Sequence, residues 1–104
     1  MKIELLYFEG CPSYEALLPR LQHLLAEAGV DEEIELRRVE TREAAERQRF
    51  LGSPTVRIDG VDVDPGAATR TDFGMKCRLY RSPSGTSPTP SEEWIEAALA
   101  RSRR

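Results

Sequence analysis

Apolar and polar positions along the chain sort into strands and helices in near alternation. Residues 2–8 hold Ile3, Leu5, Leu6, Tyr7 and Phe8, with apolar side chains on both faces from Leu5 onward, which predicts a central strand. The period then changes. Over 13–29, Leu17, Leu21, Leu24 and Ala28, flanked by Leu18 and Leu25, form a helical stripe. Arg20, His23 and Glu27 lie on its wet side, and Gly29 is the C-terminal stop. Pro19 lies inside this helix, where it removes one backbone bond and is expected to kink the axis. Ile34, Leu36 and Val39 predict a second strand over 33–39, parallel to the first across a right-handed crossover. Thr41 caps a short helix from 42 to about 50, with Ala44, Ala45 and Phe50 as its apolar contacts.

Gly52-Ser53-Pro54 ends that helix. Thr55–Ile58, Asp59-Gly60 and Val61–Val63 then read as an antiparallel hairpin with a two-residue type I′ turn. From Asp64 to Met75 the periodicity dissolves into loop. Cys77–Arg81 is extended in character, a candidate fifth strand, and 82–90 is an exposed Ser/Pro/Gly/Thr loop. The last helix is expected to start at a capping box of Thr89, Pro90 and Glu92, and to bury Trp94, Ile95, Ala98 and Leu99. Arg101, Arg103 and Arg104 suit its negative end. The order β-α-β-α-β-β-α makes the class α/β: a central mixed sheet of four strands, or five with Cys77–Arg81, flanked by three helices.

A length of 104 residues supports one domain with one core. The net charge of −3 comes from interspersed Glu and Arg and gives no electrostatic case for nucleic acid or an anionic membrane. No apolar run is long enough for a membrane span. The opening run contains Glu4 and reads as a strand, not a signal peptide, so a cytoplasmic location is expected. In that setting the two cysteines are expected to be thiols, not a disulfide framework.

Cys11 falls at the junction of the first strand and first helix, followed by Pro12. A thiol at a helix's positive end, near unpaired N–H groups, is favoured as the nucleophilic thiolate. The expectation is an exposed, reactive sulfur. Other groups have plainer readings. His23 is on a solvated stripe, and Tyr7 and Tyr14 suit packing. Asp59, Asp62 and Asp64 lack the spacing of a calcium loop, while Arg37, Arg38, Arg42, Arg47 and Arg49 form a solvated face broken by Glu.

Gly10-Cys11-Pro12-Ser13, Pro19 and Gly52-Ser53-Pro54-Thr55-Val56, in this element order, give the chain a resemblance to thioredoxin-fold proteins. The resemblance implies one thioredoxin-like domain over 1–104, with an insertion at about 64–90. It implies a cis-proline at Pro54 beside the active sulfur, with a free backbone edge there for a peptide or glutathione-like ligand. More narrowly, Asp72-Phe73-Gly74 through Cys77-Arg78-Leu79-Tyr80 is similar to small bacterial proteins sometimes called the DF family. Some members carry selenocysteine at the position of Cys11, and members are often labelled alkylmercury lyase.

The implied chemistry is that of a monothiol thioredoxin- or glutaredoxin-like protein. Cys11 is the nucleophile, and Pro12, Ser13, Tyr14, Ser53, Pro54 and Thr55 bind substrate. The partners are a disulfide, a peroxide or a low-molecular-weight thiol, and no cofactor is needed. Tyr14 stands where dithiol members have a second cysteine. Resolution then falls to a small thiol or to Cys77, which the insertion is expected to fold back towards Cys11. The alternative is capture of a soft metal or organomercurial by Cys11 and Cys77. Carbon–mercury cleavage also needs an acid to protonate the leaving carbon, and the pattern does not choose between Asp72 and Asp62. A third option is an interaction domain whose site has decayed.

Overall fold

Strand β1 (Ile3–Tyr7) is the centre of the computed structural model, which describes residues 1–103. Its alternation divides two cores. Ile3 and Leu5 join Leu17, Leu21, Leu24 and Leu25 on one face, while Leu6 joins Val39, Ala45 and Phe50 on the other. Helix α1 (Pro12–Glu27) carries the chain to β2 (Ile34–Arg38), which pairs in parallel with β1, Ile3 opposite Ile34. After α2 (Arg42–Arg47), β3 (Thr55–Ile58) runs antiparallel to β1, and β4 (Val61–Asp62) antiparallel to β3. The sheet order is β2-β1-β3-β4, and α3 (Glu92–Ser102) packs Ile95, Ala98 and Leu99 into the first core. The fold is α/β, with a mixed four-stranded sheet and three helices. No helix among the described residues is long and apolar enough to cross a membrane.

Local signals held where local chemistry decides the backbone. Asp59 and Gly60 both have positive φ, 53° and 81°, as a type I′ turn requires, and the Asp59 carboxylate accepts from the Lys2 N–H at 2.7 Å. Thr41 caps α2 by accepting from the Ala44 N–H at 3.0 Å. Gly29, with φ 72°, ends α1 as the chain turns into Val30. Pro19 lies inside α1 on its exposed side.

Three expectations are corrected. Leu36 is 48% exposed, because β2 is an edge strand whose outer faces are largely uncovered. The segment 82–90 is not simple loop: β5 (Tyr80–Ser82) and β6 (Gly85–Ser87) form a separate two-stranded ribbon, so Cys77–Arg81 does not add a full strand to the main sheet. The cap of α3 is Ser91, which accepts from the Glu93 N–H at 3.2 Å. Thr89 Oγ1 is engaged with Ser87 Oγ in the loop before it.

The backbone of the insertion pairs with the segment just before β3. Ser53 pairs with Cys77 in an isolated parallel bridge: the Ser53 N–H donates to Lys76 O and the Arg78 N–H to Ser53 O, both at 2.9 Å. Gly52 permits this approach. Its φ is 131°, and a Cβ there would lie 2.9 Å from Lys76 O and 3.1 Å from Arg78 Cβ. Gly52→Ala is therefore expected to lower stability by about 1–3 kcal/mol, by overpacking together with backbone strain. Chemical denaturation checks this, with Gly66→Ala as the control, since a Cβ at Gly66 meets only Asp64 Oδ1 at 3.4 Å.

Candidate active site

Cys11 is the N-cap of α1. Its backbone is extended (φ −85°, ψ 107°), Pro12 occupies the first turn, and the cysteine side chain makes no capping hydrogen bond. The Cys11 N–H donates to Phe8 O at 3.4 Å, which closes the turn at the end of β1. The residue is only 2% exposed, so the expected open sulfur is not there. The turn is held down against the strand it leaves: the Tyr14 ring, one turn into α1, stacks on Tyr7 with centroids 4.0 Å apart. Desolvation first, then neighbouring Tyr7, holds the Tyr14 phenol above its ordinary value. Pro12 is exposed and Ser13 is partly so.

The Ser53–Pro54 bond is cis, and Ser53, Pro54 and Thr55 are all buried. Ser53 Oγ accepts from the Phe8 N–H at 3.4 Å, which connects this turn to the one that carries Cys11. The backbone edge beside Pro54 is not free, contrary to expectation. The Ser53 N–H and carbonyl are both taken by the Lys76–Arg78 segment, and the Pro54 carbonyl accepts from the Tyr80 hydroxyl. Cys77, at the centre of that segment, is exposed, and both cysteines are free. The insertion therefore reaches Ser53 and brings Cys77 to it. Cys77 lies in a cleft of about 520 Å³ whose lining includes Arg70, Lys76 and Arg81.

Arg78 anchors this segment. Its guanidinium is 1% exposed, pairs with Asp62 at 2.7 Å and Asp64 at 3.3 Å, donates to Thr55 Oγ1 at 2.9 Å and lies 4.3 Å from the Tyr80 ring centre. Burial works against the cation, but Tyr80, Asp62 and Asp64 outweigh it and hold its pKa above the ordinary value. Its Nε is buried without a partner. Neither Arg78 nor Tyr80 carried a role in the sequence reading. The available signal was a pair of aspartates closing one extended stretch and an arginine opening the next.

Among the described residues no three His, Cys, Asp or Glu side chains form a group that could hold a metal. Asp62 and Asp64 are committed to Arg78. Asp72 is bound by Arg70 and Lys76, which hold its carboxyl well below the usual range, so it is a poor proton donor. Comparison with known proteins finds no matching family model, curated protein or solved structure.

Two predictions follow from the buried cluster. Arg78→Met, which strands Asp62 and Asp64, is expected to cost about 3–5 kcal/mol, with part recovered when Asp62→Asn is added. Denaturation of the single and double variants checks it. Burial, opposed by Arg78, pushes the Tyr80 phenol far above its ordinary value. The unfolded chain releases that proton near pH 10 while the folded chain keeps it. The resulting stability is complete below about pH 10 and is lost as the pH rises further. Phenolate absorbance is expected to show Tyr80 titrating only with unfolding, and Tyr80→Phe is expected to flatten the alkaline decline.

Proposed function

We propose that this chain is a thiol-based redox protein, similar to monothiol thioredoxins and glutaredoxins, with Cys11 as nucleophile. The observation that carries the reading is the placement of Cys11 as N-cap of the sixteen-residue α1, directly before Pro12. The first turn of a helix has N–H groups without partners and the positive end of the dipole, and both favour a thiolate over a thiol. The sheet order β2-β1-β3-β4, with one parallel and two antiparallel pairings, supports a thioredoxin-like arrangement, as does the contact between Phe8 and Ser53.

In the proposed step the Cys11 thiolate attacks one sulfur of a disulfide. A bond forms between Cys11 and that sulfur, the old S–S bond breaks, and the departing thiolate takes up a proton. A second thiol, from a small molecule or Cys77, then releases Cys11 by the same exchange. The 2% exposure of Cys11 favours substrates small enough to reach a recessed sulfur, such as a peroxide or a low-molecular-weight disulfide, over the disulfide of a folded protein. The cationic lining around exposed Cys77 suits an anionic thiol. Soft-metal capture has less support, because it needs both thiols, and Cys11 is buried while Cys77 is exposed.

The test is a Cys77→Ser variant, which leaves a single thiol. Iodoacetamide is expected to alkylate Cys11 in native buffer, without denaturant. Glutathione disulfide is expected to convert Cys11 to a mixed disulfide, read by mass. A Cys11 that reacts with neither reagent until denaturant is added overturns the reading.

A further inference from the structure

Four arginines meet along the β4 edge, in a cleft that neither cysteine lines. Arg49, Arg57, Arg70 and Arg101 line a cleft of about 400 Å³ with an apolar lining that includes Leu51, Val61 and Phe73. The carboxylates nearby are already used. Asp62 and Asp64 pair with the buried Arg78, and Arg70 pairs with Asp72 at 2.7 Å. Glu4, whose charge also reaches Arg57, is bound by Arg37 at 2.5 Å and lies 3.8 Å from Lys2. Arg49, Arg57 and Arg101 therefore have no carboxylate partner among the described residues.

Each of the three is otherwise placed for a ligand. Arg57 projects from β3 and spends one nitrogen, Nη2, on the carbonyls of Gln48 and Arg49, which fixes the guanidinium and leaves its other N–H groups without an acceptor among the described residues. Burial lowers its pKa, so an anion beside it would relieve a desolvated charge. Arg49 lies over the Phe73 ring at 5.1 Å, and its backbone φ of 56° is unusual for a residue other than glycine. Arg101 is exposed near the end of α3. Gln48, which also lines the cleft, has a buried Oε1 with no hydrogen-bond partner among the described residues.

From this we infer that the cleft binds a small organic anion, with a carboxylate or phosphate head held by Arg57, Arg49 and Arg101 and an apolar body lying against Phe73 and Leu51. Guanidinium forks match both head groups in bidentate geometry. A donor on the ligand would satisfy Gln48. The inference does not rest on the thiol chemistry, although the cleft shares Leu51, Asp64 and Arg70 with the one that holds Cys77.

Phenyl phosphate and benzoate, titrated into the full chain and followed by backbone amide NMR shifts, test it. At least one probe is expected to saturate at millimolar concentration with shifts centred on residues 48–51, 57–62 and 67–73, and the stronger of the two identifies the preferred head group. Arg57→Gln is expected to weaken it about tenfold or more. Arg101→Glu, at an exposed side chain, is expected to weaken it too and keeps the test open if Arg57→Gln fails to fold. Inorganic phosphate alone is expected to bind more weakly than phenyl phosphate. No saturable binding of either probe, shifts centred elsewhere, or affinity unchanged in Arg101→Glu overturns the inference.

Discussion

The buried guanidinium of Arg78 is the constraint on which the site end of this molecule depends. It ties β3, through Thr55, to β4, through Asp62, and to the following loop through Asp64. Its own chain continues into Tyr80, whose hydroxyl is bound to the Pro54 carbonyl. Removing such a charge from water costs several kcal/mol, and the cost is offset only when nearly every partner is in place. The arrangement is therefore cooperative. The insertion docks with all of these contacts, or it leaves two aspartates facing a half-filled cluster. That cooperativity gives the 64–80 segment, which has little regular structure, one defined path across the sheet.

This also explains what was legible in the sequence. Asp59-Gly60, Thr41 and Gly29 could be read because each acts on backbone atoms within a few residues, through left-handed φ or a short capping bond. Strand β1 could be read because burial on both faces leaves a dense apolar run, and β3 because the Asp59-Gly60 turn marks the hairpin it opens. The insertion could not. Its determining contacts join Arg78 to residues 14, 16 and 23 positions earlier, and Tyr80 to one 26 earlier, so no periodicity in the segment reveals them. The Thr89 cap expected for α3 fails because the loop uses the threonine hydroxyl itself, and Ser91 caps the helix instead.

The cysteines show the same division at the site. That Cys11 lies between a strand and a helix is a local property, and the sequence carried it. Its accessibility is set by how α1 lies on β1, which depends on the Tyr7–Tyr14 stack and on the packing of Leu17 and Leu21. Cys77 is the exposed one of the two. The bridge to Ser53 uses the backbone of its neighbours, while Arg78 next to it turns inwards, so Cys77 is left in solvent.

That geometry bears on how a substrate would approach on the proposed chemistry. A peptide pairing with Ser53 must displace the Lys76–Arg78 segment. The two backbone hydrogen bonds lost are each worth only about 1 kcal/mol and would be replaced in kind by the incoming chain. Pulling Arg78 from Asp62, Asp64 and Thr55 is not replaced, and it outweighs what a short peptide gains along one residue of edge. The Ser53 side is therefore closed to weak ligands. Phe8 and Glu9, which precede Cys11 in the chain, line a separate cleft of about 250 Å³ with Arg38, Val39, Glu40 and Met75. Entry there disturbs no buried ion pair, since Arg38, Glu9 and Glu40 meet at the exposed surface. On the proposed chemistry a thiol only 2% exposed would select by size, and the anchored insertion enforces the selection by keeping the Ser53 side shut.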